Sequence, residues 1–415
     1  MGPLTGIRIV EITTAWAGPF AGRSLAFLGA DVIRIEPASR PDSWRHPKVT
    51  FNTNRYPDRQ PGERPYNRTS LFNSQNTNKR SMALDLKKPG GRDALVSLLR
   101  TADAVLCNFT PGTLGRLMLG YADMCKIKPD IILVEMPAYG LAGPIADNTA
   151  LGPTMEMVAG MAALIGYPDG PPTVTGPAYL DPVGGFHGAS AVMTALLHRQ
   201  ATGHGQHVEM PQCEAAMHYI GDILLAAVAS GTDPVPDGNR VPWAAPHDTF
   251  AADGTDAWVA IAVTNDAEWA ALCGVIGQPA LATDPRFATL PERLRNQSAL
   301  RAPIEAWTST RDKHDIARAL QEAGVPAAAV HTAKDAVASE YLRTRGFFTV
   351  LDHPEAGRHP YPSLPFHLSA TPGVQDRAAP CLGADTHDIL RDLLGMSEAE
   401  IAALDAAGTI SAIPA

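Results

Sequence analysis

The chain has 415 residues, 45% of them hydrophobic and 19% charged. That composition belongs to a globular protein with a large core and excludes a disordered chain. With 34 Lys and Arg against 43 Asp and Glu the net charge is −9, which excludes general binding to nucleic-acid phosphates, a task for basic surfaces.

In chain order, Ile7–Ile12 (IRIVEI) reads as a short buried strand, Thr13–Gly18 as a loop, and Pro19–Leu28 as a helix closed by Gly29. Asp31–Ile35 is a second strand, so the chain opens with a βαβ unit and its sheet begins parallel. The pattern recurs: a short strand at Met82–Leu86, a helix at Pro89–Thr101, and strands at Ala104–Cys107 and Ile131–Met136. A long helix over Val183–His198 begins with the small residues Gly184, Gly185, Gly188, Ala189 and Ser190, which permit close approach. Around Gly231–Pro246 the composition becomes linker-like, and residues 232–330 read as a smaller α+β domain. It holds a strand at Ala257–Val263 and helices near Asp266–Ile276 and Asp312–Ala323. A final helix is expected near Asp385–Leu394. The length suits two to three domains.

Several segments carry candidate chemistry. The Thr13–Gly18 loop, with Trp16 and Ala17, leaves the C-terminal end of a parallel strand, where open α/β sheets bind ligands. It lacks G-x-G-x-x-G, so no dinucleotide fingerprint is present. Lys79, Arg80, Lys87 and Lys88 concentrate positive charge, which would suit a phosphate, although charge runs are more often a solvated turn. Asn108–Gly112 (NFTPG) follows a strand and precedes Arg116; the pattern fits a ligand-binding turn or a plain one. Asp181-Pro182 opens the glycine-rich helix. As N-cap and first helical residue the pair would be structural, while a carboxylate ionised at a helix N-terminus would serve as an acyl nucleophile. His204 and His207 sit in an apparent hairpin-like turn with no third ligand nearby, so no metal is expected. The five scattered cysteines contain no C-x-x-C pair and read as reduced thiols of a cytoplasmic protein. The first residues show no signal-peptide pattern, and no apolar run nears the ~18 residues of a membrane span.

These segments together resemble the class III (family III) coenzyme A transferases, the group that includes formyl-CoA transferase and the carnitine-linked enzymes. The likeness runs through Leu4–Glu36, Asn78–Lys87 (NKRSMALDLK), Asn108–Gly112 with Arg116, Tyr139–Pro144 (YGLAGP), Tyr167–Gly176 (YPDGPPTVTG), Asp181 and Ala195–Val208. It therefore spans nearly the whole chain in one order. The resemblance implies a Rossmann-like α/β large domain built from both chain ends (1–205 and 331–415). It also implies a crossing segment at 206–231, the small inserted α+β domain, and two subunits interlocked as a homodimer.

It further implies an enzyme that moves CoA from an acyl-CoA to a free carboxylic acid, with Asp181 as the nucleophile and no permanently bound cofactor. Coenzyme A would be held by Trp16 and Ala17 along the pantetheine arm, and by Leu84, Asp85, Leu86 and Lys87 at the adenine and phosphate end. Asn108, Phe109 and Thr110 would meet the nucleotide side, Arg116 a phosphate, and Tyr139 belongs to the same set.

The formyl-CoA enzymes have Gln at the place of Trp16, Arg at that of Pro37, and a glycine run in the small domain; none is present here, which disfavours formyl or oxalate substrates. α-Methylacyl-CoA racemases share the aspartate but need a histidine base where this chain has Leu151, and without it proton exchange at an α-carbon lacks a partner. A non-catalytic subunit of a heteromeric transferase would lack the nucleophile that Asp181 supplies.

Overall fold

The computed structural model describes residues 2–45 and 53–414. It separates into two compact units: residues 2–162, 174–232 and 341–414 form one, and residues 163–173 with 233–340 the other.

The first unit is organised by a six-stranded sheet. Its strands are β1 (Arg8–Ile12), β2 (Asp31–Glu36), β3 (Arg80–Ala83), β4 (Ala104–Cys107), β5 (Ile132–Glu135) and β6 (His207–Glu209). Their order is β3-β2-β1-β4-β5-β6 and every pairing is parallel. The chain winds outward from β1 through β2 to β3, then returns to place β4 on the other side of β1. The order reverses between β1 and β4, and ligands of doubly wound sheets bind beyond the strand ends at such a reversal.

Both faces of the sheet are covered, so its strands are apolar on both sides. Val10 and Ile12 share one core with Leu95, Leu98, Leu114 and Met124. These come from the helices α3 (Gly91–Leu99), α4 (Thr113–Arg116) and α5 (Tyr121–Ile127), which follow α1 (Ala17–Phe27) and α2 (Ser70–Gln75) in the chain. Ile401 and Leu404, from the helix Glu398–Ala406, close that core. Ile9 points the other way, into a core made with α1 and the long helix that follows α6 (Gly152–Val158), namely α7 (Leu180–Thr202). The glycines of α7 set the distance to its neighbours. A side chain at Gly185 would come within 2.8–2.9 Å of Phe20 and the Ala17 carbonyl, and one at Gly188 within 2.5 Å of Met136 Sδ. After β6 the chain continues through α8 (Gln212–Met217) and α9 (Gly221–Ser230).

The second unit has a three-stranded antiparallel sheet of β7 (His247–Ala251), β8 (Trp258–Ala262) and β9 (Ala327–Ala329). Helices at Asp266–Val275, Gln297–Thr308 and Lys313–Glu322 cover it around Trp269, Leu300, Ile304 and Leu320. Among the described residues no helix is long and apolar enough to cross a membrane.

Three local expectations are corrected. The segment around His204 and His207 is not hairpin-like: Gly203 ends α7 in the left-handed region (φ 79°) and His207 begins β6, parallel to β5. Asp181 is not the cap of α7, because Tyr179 stands there and Asp181 lies in the first turn. The strand expected at Met82–Leu86 runs over Arg80–Ala83, since Arg80 pairs with Ile33 while the Asp85 amide turns away to the Thr409 carbonyl at 2.8 Å.

Charge is buried within this apolar frame. Arg34 on β2 reaches Glu11 on β1 at 2.6 Å and also pairs with Asp42. Lys79 holds Glu11 from the other side at 2.8 Å, and Arg45 holds Glu36 at 2.6 Å. Three cations thus balance three carboxylates with essentially no exposure. Gly22 of α1 makes room for Glu11, since any side chain there would overlap its carboxylate. Removing one partner of a buried pair leaves an uncompensated charge. Arg34→Met is therefore expected to lower unfolding free energy by about 3–5 kcal/mol, measured by urea titration; a loss under about 1 kcal/mol would contradict this reading.

Candidate active site

Helix α1 starts at the sheet reversal and begins without a cap. Its N-cap residue is Trp16, whose side chain accepts nothing, and its first turn holds no acid. The first amides of a helix have no partner within it. Here the carboxylate of Asp181, in the first turn of α7, lies near the Ala17 amide, which favours its ionised form. The glycine contact explains the geometry. Gly185 rests on Ala17 and Phe20, and Asp181 lies one helical turn before it, directed to the end of α1.

Three observations define the environment of that carboxylate. Burial raises its pKa from the ordinary 3.8 to about 6, the Ala17 amide opposes the rise, and the Glu156 charge adds to it. On one side lies Gly152, the first residue of α6, where any side chain would overlap Asp181 Oδ2 and Ala178. The turn before Asp181 carries Ala178 in the left-handed region (φ 51°), a conformation costly for a residue with a Cβ, and the Asp181 amide bonds to the Ala178 carbonyl at 3.1 Å.

The loop that presents Ala17 is fixed from two directions. Asn108, just past β4, donates to the Thr14 carbonyl at 2.9 Å and accepts from the Thr14 amide at 2.9 Å. Asp42, anchored by Arg34, accepts from the Ala15 amide at 3.2 Å and from the Trp44 amide at 2.7 Å. Ala15 itself sits at φ 61°. Trp16 packs against Trp44 with ring centroids 5.3 Å apart, and its indole Nε1 is buried with no hydrogen-bond partner among the described residues.

The sequence-derived residues divide into two sets. Trp16, Ala17, Asn108 and Asp181 belong to one hydrogen-bonded neighbourhood. Leu84, Asp85, Leu86, Lys87, Phe109, Thr110, Arg116 and Tyr139 follow β3, β4 and β5 at the C-terminal edge of the sheet. Leu84 lies wholly in the core with its amide bonded to the Glu36 carbonyl. Asp85 is buried and accepts from Ser39 Oγ at 2.7 Å and the Lys87 amide at 3.0 Å. Phe109 packs on the core, whereas Lys87, Thr110 and Arg116 are exposed. Arg116 Nη2 donates to Thr113 Oγ1 at 2.9 Å. Sequence reasoning missed Gly152, Glu156 and Asp42. Each acts through a neighbour distant in sequence, so no local spacing signals them. Among the described residues no cluster of His, Cys, Asp or Glu is fit to hold a metal.

A carboxyl whose folded pKa lies above its unfolded value costs stability as pH rises through the interval between them. Keeping Asp181 ionised at pH 7 costs on the order of 3 kcal/mol. Asp181→Asn is therefore expected to unfold at higher urea than the native chain at pH 7, by ~1–3 kcal/mol, and the advantage should vanish near pH 4. An equal or smaller stability at pH 7 would contradict the assigned environment.

A family model described as CoA-transferase family III matches residues 4–386. The succinyl-CoA–D-citramalate CoA-transferase of Chloroflexus aurantiacus is 33% identical over 405 residues, covering 97% of this chain and 97% of that one. The succinate–glutarate CoA-transferase of Agrobacterium fabrum is 30% identical over 394 residues, covering 94% and 96%. Among solved structures, a CAIB/BAIF family protein from Brucella suis superposes with a TM-score of 0.86 at 31% identity, over 95% of this chain and 99% of that one. With the family match spanning most of the chain and relatives aligned nearly end to end, the protein belongs to CoA-transferase family III.

Proposed function

We propose that the protein transfers coenzyme A from an acyl-CoA thioester to a free carboxylic acid through covalent intermediates on Asp181. The observation that carries the reading is the placement of Asp181: a carboxylate near the amide end of α1 and against Gly152, raised by burial to about 6 and so mostly ionised at neutral pH.

A desolvated carboxylate is a better nucleophile than a hydrated one. Asp181 attacks the thioester carbonyl carbon; the C–S bond breaks, CoA leaves as thiolate, and an aspartyl mixed anhydride remains. The thiolate then attacks the Asp181 carbonyl carbon and expels the donor acid as carboxylate, leaving an aspartyl-CoA thioester. The acceptor carboxylate attacks that carbon, forming a second mixed anhydride and freeing thiolate. Finally the thiolate takes the acceptor acyl group and Asp181 returns to carboxylate. Each tetrahedral intermediate carries an oxyanion, and the amide end of α1 supplies donors beside the reacting carbon. The pantetheine arm runs along Trp16 and Ala17. The nucleotide lies over the edge formed by Leu84–Lys87, Asn108–Thr110 and Tyr139, with Arg116 on a phosphate. Leu151, where a racemase would carry its base, is exposed and has no proton to exchange.

Two relatives are named for succinyl, citramalate, succinate and glutarate groups and others for formyl, acetyl and oxalate groups; with Trp16 in place of the formyl enzymes' Gln, we propose substrates of the former class, carboxylic acids larger than formate. We also propose a cytoplasmic homodimer of interlocked subunits, with the small α+β domain inserted in the large one. In support, α9 (GDILLAAVAS) buries none of its ten residues, and Leu225 and Val228 are 70% and 84% exposed. A helix that apolar calls for a covering surface. The cysteines are all free thiols, which suits a reducing compartment.

Asp181→Ala should lose CoA exchange by on the order of a thousandfold or more while calorimetry still detects CoA binding. The acid limb of kcat/KM in the native enzyme should fall near pH 6, because only the ionised carboxylate attacks. Exchange retained in the variant would overturn the mechanism. For the assembly, Val228→Asp should shift the sedimenting species from dimer towards monomer; an unchanged species would place the interface elsewhere.

A further inference from the structure

Glu156 lies one turn after Gly152 on α6 and is completely buried. Its carboxylate makes three hydrogen bonds, all to the segment that leads into Asp181. Oε2 accepts from the Thr175 amide at 2.8 Å, and Oε1 from Thr175 Oγ1 at 2.7 Å and the Tyr179 amide at 2.9 Å. These tie residues 175 to 179 around the strained Ala178 and set the start of α7. Gly152 and Glu156, at i and i+4, occupy one face of α6. One abuts the Asp181 carboxylate and the other holds its approach.

We propose that Glu156 is a positioning residue for the Asp181 nucleophile: it aligns the first turn of α7 through three hydrogen bonds and places a second negative charge beside the reacting carboxylate. The inference rests on the reading of Asp181 as the nucleophile. The donor set explains the choice of Glu over Gln. Two amides and a hydroxyl all point at the group, and a carboxylate offers acceptors to each, whereas an amide would turn a donor against a donor. A second charge nearby disfavours ionisation of Asp181 and makes its carboxylate more basic.

Other titratable groups stand on the elements packed against Asp181. On α1, Arg23 donates to the Ser74 carbonyl at 2.5 Å. On α8 lie Cys213, whose Sγ is 4.0 Å from the Met155 carbonyl, and Glu214. On β5, Glu135 is paired with His207 at 2.8 Å. On α7 itself, His187 is bonded to the Val183 carbonyl at 2.9 Å. Among the described residues, the charge that raises the Asp181 pKa is that of Glu156.

Two substitutions separate charge from reach. Glu156→Gln keeps the length and removes the charge; the acid limb of kcat/KM should move to lower pH and the plateau kcat should fall about tenfold, with KM for the acyl-CoA within twofold. Glu156→Asp keeps the charge and shortens the reach; the limb should stay while kcat falls by a similar factor. A purely structural role would lower thermal stability in both without moving the limb of Glu156→Gln, and that result would overturn the proposal. So would native kcat in both variants. Should Glu156→Gln fail to fold, native kcat in Glu156→Asp alone overturns the proposal and a reduced kcat at unchanged KM supports it. The Asp181→Ala variant, assayed alongside, keeps the two claims apart. If it stays active the nucleophile assignment fails, whereas an inactive Asp181→Ala with an unmoved limb in Glu156→Gln sinks the positioning role alone.

Discussion

A helix that begins on a tryptophan has no side chain to satisfy its first amides, and the rest of the site is built around that end. The carboxylate of Asp181 approaches that end from the neighbouring helix α7. The contact demands that the two helices approach closely, and Gly185 allows it because a side chain there would strike Phe20 and the Ala17 carbonyl. Hydrogen bonding to the end of α1 would ordinarily stabilise the ionised form. Here burial outweighs it, and the outcome is a carboxylate that is charged at neutral pH yet poorly solvated. That balance gives a weak nucleophile an advantage it lacks in water.

The support is layered outward. Asn108 clips the Thr14 peptide from β4, and Asp42 holds the Ala15 amide from the loop after β2. Behind Asp42 stand Arg34, Glu11 and Lys79, a buried ionic chain that crosses β1, β2 and the approach to β3. Well-packed apolar residues would hold strands together at least as firmly. What the charges add is direction: each hydrogen bond fixes one peptide of the loop at the sheet reversal. Glu156 repeats the device on the opposite side, where three donors orient the turn before Asp181.

The parallel sheet was legible because its strands are short, apolar and regularly interrupted by helical spacing: Ile9 and Val10 face opposite cores, as buried parallel strands require. Asp181 stood out by its place before a run of glycines. The strand β6 was not legible, because HVE is three residues long and flanked by glycine text that also fits a turn. Nor was the start of α7, since Asp181-Pro182 matches a cap pattern that Tyr179 occupies instead. The meaning of Glu11 and Arg34, charged residues on otherwise apolar strands, was not legible, because their partners lie up to 68 positions away, as Glu11 and Lys79 show. Gly152 and Glu156 were beyond reach for the same reason, since their meaning depends on α6 lying against the turn 175–181, a tertiary contact with no local signature.

The central claim is that the Asp181 carboxylate becomes covalently acylated in turnover. The direct test is incubation of the enzyme with an acyl-CoA and hydroxylamine, followed by peptide mass spectrometry. The account predicts a hydroxamate on Asp181 that forms only when the thioester is present; an unmodified Asp181 peptide, or an adduct on another residue, would contradict it.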